Sequence, residues 1–187
     1  MKKHTILLLI AAITGIATVK AQKGNNQLQI GAQINAPTGD LAEIAKVGYG
    51  FSAKGLFGFG VSPQQVTVEV GYNSFGVKDK YLSPGVSAQY RSWPIYTGYR
   101  YSIGKFYIEP QAGFAINTIY GSNRFNLASD TKAYFAWATG VGYSIKQFDF
   151  AVRYQASDVK NESSDITFAA FRVGYRLPFY KKSDQWK

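Results

Sequence analysis

Hydrophobic and polar residues alternate with a period of two through eight stretches of the chain. The first, Gln27 to Asn35, sets Leu28, Ile30, Ala32 and Ile34 against Gln29, Gly31, Gln33 and Asn35. The second, Gly48 to Phe59, sets Tyr49, Phe51, Ala53, Phe57 and Phe59 against Gly50, Ser52, Lys54 and Gly58. The third, Val66 to Asn73, opposes Val66, Val68, Val70 and Tyr72 to Thr67, Glu69, Gly71 and Asn73. The fourth, Trp93 to Tyr101, carries Tyr96, Gly98 and Arg100 on its polar side; the fifth, Phe106 to Asn117, carries Tyr107, Glu109, Gln111, Gly113 and Asn117 there. The sixth runs from Phe135 to Ile145, the seventh from Phe148 to Gln155 with Asp149 and Arg153 on its polar side, and the eighth from Ala170 to Phe179 with Arg172, Gly174 and Arg176. Strict alternation over such lengths predicts half-buried strands rather than helices.

The connections alternate as well. Those after strands two, four and six are short: Gly60 to Gln64, Ile103-Gly104 and Lys146-Gln147. The last two suit tight hairpins, and pairing across the sixth–seventh turn sets Ile145 against Phe148, Ser144 against Asp149 and Tyr143 against Phe150. The connections after strands one, three, five and seven are longer and polar, with Asp40 and Glu43, Lys78 to Lys80, Asn123 to Lys132, and Asp158 to Asp165. Short turns at one end and long loops at the other describe an all-β, eight-stranded antiparallel up-and-down barrel. Pro110 lies inside strand five, where it cannot donate to the ladder, so a bulge is expected there.

Alternation alone leaves open which face points inward, and a soluble lipocalin-like barrel is the competing arrangement. Three features favour an apolar exterior in lipid. Every strand charge, Lys54, Glu69, Arg100, Glu109, Asp149, Arg153, Arg172 and Arg176, lies on the polar face. A charge on the lipid face would cost roughly 2–4 kcal/mol at the midplane. An eight-stranded barrel has an interior just wide enough for side chains; the Gly- and Ala-rich polar face fits it, the aromatic-rich face does not. Aromatics also gather near the strand ends, Phe57, Phe59, Tyr101, Phe106, Phe148 and Phe179 by the turns and Tyr49, Tyr72, Trp93, Phe135 and Tyr154 by the loops, as two interfacial girdles would.

Upstream, Met1-Lys2-Lys3-His4 is followed by an apolar run from Ile6 to Ile16 and by Val19-Lys20-Ala21. This is a secretory signal pattern, with residues 1–21 the signal peptide and residues 22–187 the mature domain. The run is too short for the roughly 20 residues of a membrane-spanning helix, and no other stretch reaches that apolar length. The chain has 187 residues, no Cys, one His and one Met. Cleavage after Ala21 removes His4, Met1 and three lysines, leaving 166 residues with 18 bases, 11 acids and a charge of +7. A thiol nucleophile, a disulfide, a Cys/His zinc site, a lipid-bearing N-terminal cysteine and a histidine general base are thereby excluded. No catalytic residue, metal ligand or cofactor is expected. Gly58-Phe59-Gly60 and Gly140-Val141-Gly142 do not open a helix after a strand, so a dinucleotide site is not expected either. The bases divide between lumen and rim without forming a patch, which argues against nucleic acid.

The eight-strand pattern behind a signal resembles the small outer-membrane barrels of Gram-negative bacteria, the OmpA- and OmpX-like class. Ala36-Pro37-Thr38-Gly39-Asp40 followed by Gly48-Tyr49-Gly50 is similar to the first loop of the outer-membrane β-barrel family common in Bacteroidetes. The last strand resembles the insertion signal read by the barrel-assembly machinery at Arg172, Gly174, Leu177 and Phe179, departing from it by the tail Tyr180 to Lys187. The resemblance implies a monomer in the outer membrane, exported through the periplasm, contacting lipid and lipopolysaccharide. It implies a non-enzymatic structural or surface-interaction role with an unidentified loop partner, or else a narrow channel. Barrel enzymes of this kind rely on a histidine that the mature chain lacks.

Within the lumen, five bases face three acids, suiting a salt-bridge network, an ion path or an anion site. Arg100 and Glu109 are near-opposite across the fourth–fifth hairpin, and Asp149 and Arg153 share strand seven. Tyr96, Tyr107, Gln29 and Gln111 are available to the surplus bases. Arg91 falls just outside the Trp93 girdle, at the height of lipid phosphates.

Overall fold

A computed structural model describes residues 26–59, 63–123, 126–157 and 166–178. The eight strands are β1 (Gln27–Thr38), β2 (Gly48–Gly58), β3 (Gln64–Gly76), β4 (Ser87–Ile103), β5 (Phe106–Asn123), β6 (Asn126–Ile145), β7 (Phe148–Ser157) and β8 (Ile166–Pro178). Each pairs antiparallel with its chain neighbours, and β1 pairs with β8, closing the barrel. A short helix, α1 (Gly39–Ile44), lies between β1 and β2. No helix among the described residues is long and apolar enough to cross a membrane.

Closure shifts the register. One row of partners runs Leu28, Gly55, Val68, Thr97, Ala112, Trp137, Ala156, Thr167 and returns to β1 at Thr38, ten residues along. That stagger tilts the strands against the barrel axis, so residues distant in sequence and on opposite walls meet inside.

The faces divide by parity. Ile34, Phe51, Ile95, Ile108, Phe114, Val141 and Val152 are exposed on the outside, while Lys54, Glu69, Arg100, Glu109, Asp149, Arg153 and Arg172 are buried inside. Apolar residues therefore cover the exterior and polar ones fill the lumen, which excludes the soluble, apolar-cored arrangement. Exterior rings pair near both rims, Tyr72 with Trp93 at 4.6 Å and Trp137 with Tyr154 at 5.8 Å toward the loops, Phe106 with Tyr143 at 4.8 Å and Phe148 with Tyr175 at 5.2 Å toward the turns.

Three local features depart from the sequence expectations. The β4–β5 turn is Gly104-Lys105, with Ile103 paired to Phe106; Gly104 takes φ +64°, which glycine adopts without steric cost. Pro110 makes no bulge. The β4–β5 register is the same on either side of it, and rungs are missing only opposite Tyr99 and Arg100. Its missing N–H is thus absorbed as a gap in one ladder, with no residue inserted. Residues Asn126 to Lys132, expected in a loop, are strand: β5 and β6 stay in register as far as Asn123 opposite Asn126.

Candidate functional site: the lumen and its mouth

The lumen side chains come from every second residue of the strands, and all eight sequence-predicted charges are brought into one network. Glu69 of β3 lies at its centre. Its carboxylate is 3.0 Å from Lys54 Nζ, 2.9 Å from Arg153 Nη1 and 2.9 Å from Arg172 Nη1. Glu109 accepts from Lys54 Nζ at 2.6 Å, from Arg100 Nη2 at 2.7 Å and from the Thr67 hydroxyl at 3.1 Å. Asp149 accepts from Arg100 Nη1 at 2.7 Å and from the Ser144 hydroxyl at 2.8 Å. Arg176 Nε approaches Asp149 at 3.0 Å without hydrogen-bond alignment, and its side chain is partly open at the turn end.

Neutral groups complete the packing. Gln111 accepts from Arg153 at 3.0 Å and donates to Glu69 at 3.1 Å; Gln155 accepts from Arg153 at 2.8 Å, and Ser52 accepts from Arg172. Gln29 accepts a long 3.4 Å bond from Arg100. The tyrosines meet the arginines through their rings rather than their hydroxyls: the Arg100 guanidinium lies 3.8 Å from the Tyr107 ring centre, and that of Arg153 lies 5.7 Å from Tyr96. Gly142 leaves the space the Tyr107 ring fills, and Gly174 does the same for the Gln29 amide; a Cβ at either would collide with these groups.

Arg100 and Glu109 pair across their hairpin, as their spacing suggests. Asp149 and Arg153 do not pair. They lie four residues apart on β7, roughly 13 Å along the strand, and the register shift carries Arg153 to Glu69 on the far wall instead.

Above the charges toward the loops is a neutral layer. Gln33 and Asn35 each donate to Asn73 at 2.9 Å, and Asn117 donates to Ser157 at 3.1 Å. The mouth itself is apolar, against the polar pattern of the inward positions below it. Phe75, Tyr90 and Phe168 point inward and pack with Leu41 and Ala45 of the α1 segment and with Ala170. Ring centres lie 5.0 Å apart for Phe75–Phe168 and 6.0 Å for Phe75–Tyr90. The α1 segment is tied down by Lys78 Nζ donating to the Ala42 carbonyl at 2.6 Å and by backbone bonds from Lys46 to Gly76 and from Lys78 to Ile44. The signal available in the sequence was parity: Phe75 shares its face with Glu69 and Asn73, and Phe168 with Arg172.

The cavity within the network holds about 10 Å³, room for roughly one water, and is lined by Lys54, Tyr107, Glu109, Gln111, Arg153 and Arg172 among others. No group of three or more His, Cys, Asp or Glu placed to hold a metal occurs among the described residues. On the exterior rim, Arg91 stacks on Tyr120 at 4.7 Å and donates to Gln89 at 3.1 Å. Of the residues resembling an insertion signal, Arg172 and Gly174 face the lumen and Leu177 is exposed. Phe179 and the 1–21 segment lie outside the described residues.

The family model for the outer membrane protein beta-barrel domain matches residues 5–179. The chain belongs to this family. Solved structures with the same barrel include Ail, the attachment invasion locus protein of Yersinia pestis, at 16% identity and TM-score 0.61, covering 83% of this chain and all of that one. Neisserial surface protein A matches at 14% identity and TM-score 0.57, covering 82% of this chain and 97% of the other. The N-terminal barrel domain of Pseudomonas aeruginosa OprF matches at 15% and 0.57, covering 83% and 100%. No curated protein sequence matches the chain. As an outer membrane protein barrel, the chain lies in the outer membrane with its apolar face in lipid.

Proposed function

We propose that this outer-membrane barrel is non-enzymatic and non-conducting, serving the envelope as a structural element that displays its loops to a surface partner. One observation carries this reading: the lumen is filled by a connected ion-pair network, and an apolar cluster closes its loop-side mouth. A path for solute would have to break both. Structural likeness to Ail, whose name ties that protein to attachment, is compatible with a display role but concerns the fold alone. The mature chain also offers no histidine or cysteine for catalysis.

The purified barrel in a planar bilayer should therefore show no steady conductance. Reproducible single-channel steps from the unmutated protein would replace this reading with that of a narrow channel.

The same proposal takes the protein to be exported through the periplasm and to act as a monomer, with its aromatic rims and Arg91 against lipid and lipopolysaccharide headgroups. Membrane-derived material should begin at Gln22; N-terminal sequencing that reads Met1 would refute cleavage. Leu177 and Phe179 are proposed as recognition points for the barrel-assembly machinery. Replacing either by Ala should lower its level in the outer membrane several-fold without changing the unfolding midpoint of barrel refolded in vitro. Undiminished levels in both variants would place recognition elsewhere.

A further inference from the structure

We infer that the lumen holds a small monatomic anion, of the chloride class, between Arg153 and Arg172. Three observations converge on these two arginines. The first is charge. The described lumen carries Lys54, Arg100, Arg153, Arg172 and Arg176 against Glu69, Glu109 and Asp149. The surplus is not spread evenly. Lys54 and Arg100 each touch two carboxylates, and Arg176 reaches solvent at the turn end. Arg153 and Arg172 each touch a single carboxylate, and it is the same one, Glu69, which also serves Lys54. One carboxylate shared among three cations leaves the deficit of negative charge around these two arginines. Buried charge in a low-dielectric interior has to be matched.

The second observation is hydrogen bonding. Arg153 is 5% exposed and Arg172 is 2% exposed. Their terminal nitrogens are engaged, those of Arg153 by Glu69, Gln111 and Gln155, those of Arg172 by Glu69 and Ser52. In both residues the Nε–H is buried and has no acceptor among the described residues. Buried guanidinium donors of this kind are rarely left unmet.

The third is space. The lumen cavity of about 10 Å³ is lined by both arginines, together with Lys54 and Gln111. Glu109 also lines it, but that carboxylate is already held by Lys54, Arg100 and Thr67. Room for about one water-sized particle excludes polyatomic anions such as sulfate or a carboxylate and leaves a monatomic halide as the anion nearest in size. A water would satisfy donors but leave the charge deficit standing; a halide answers both. The Tyr107 ring forms part of the wall. This site is internal and independent of what the loops bind.

The test uses the full mature chain refolded in detergent micelles. Its thermal unfolding midpoint is measured in chloride and in gluconate, an anion too large for the cavity, at one fixed ionic strength. The midpoint should rise with the chloride fraction. In Arg172→Gln, which removes one surplus cation and its Nε–H, that dependence should be lost. An equal chloride dependence in the variant would mean that chloride acts at the surface and would overturn the proposal, as would identical wild-type midpoints in the two salts. Crystals of the unmodified protein grown in bromide provide a second measurement that needs no variant to fold. An anomalous peak between Arg153 and Arg172 is expected, and a featureless or water-only site would overturn the inference.

Discussion

Glu69→Ala should be the most destabilising single change in the lumen, lowering the stability of the refolded barrel by about 3–5 kcal/mol. Its carboxylate is the sole acidic partner of both Arg153 and Arg172 among the described residues, and it is shared with Lys54. Truncation would leave two buried guanidinium groups without a carboxylate among the described residues. Glu109→Ala should cost less, because Lys54 keeps Glu69 and Arg100 keeps Asp149. Urea unfolding in lipid vesicles orders the two variants. A Glu69→Ala midpoint equal to wild type, or above that of Glu109→Ala, would show that the network is not organised around Glu69.

Phe75→Ala should open the loop-side mouth. Phe75 is fully buried between Phe168, Tyr90 and the α1 segment, and removing such a ring typically costs about 3–5 kcal/mol. The exposed ion pair beside α1 cannot replace it. The Lys46–Asp79 ion pair, 2.8 Å long, is solvent-exposed, and exposed pairs contribute on the order of 0–1 kcal/mol. Beyond a lower unfolding midpoint, the variant should become sensitive to trypsin at Lys46 while the membrane-embedded strands stay protected. Wild-type cleavage kinetics at Lys46 would mean that α1 is held by its hydrogen bonds rather than by the aromatic cluster.

The strands were legible because two different surroundings enforce one parity. Lipid rejects charge from one face, and a narrow lumen rejects bulk from the other, so Lys54, Glu69 and Arg153 could be placed inside from alternation alone. Where those surroundings end, so does the signal. Asn126 to Lys132 stand beyond the bilayer with no lipid on one face to penalise polar residues, so a regular strand there reads as a polar loop. At the mouth the inward face meets a helix instead of charges, and Phe75, Tyr90 and Phe168 reverse the pattern that holds below them. Pairing inside the lumen divides the same way. Arg100 and Glu109 are hairpin neighbours whose meeting follows from turn length. The meeting of Arg153 with Glu69 depends on the ten-residue shift around the closed sheet, which no local stretch encodes.

The β5–β6 hairpin sets how far from the bilayer the protein projects. β5 has 18 residues and β6 has 20, against 11 in β2 and 10 in β7. Crossing the membrane takes about 9–11 residues of tilted strand. The remaining length, at about 3.3 Å per residue of tilted strand, carries Asn123 and Asn126 on the order of 20 Å beyond the hydrocarbon core on one side of the barrel only. The two strands stay paired along that whole length, and β4 pairs with β5 as far as Ser122, so the projection is a continuation of the sheet. A molecule lying flat on the membrane would pass beneath its end. One standing on a neighbouring cell or fibre would touch it before reaching the barrel, and would always do so from the same side.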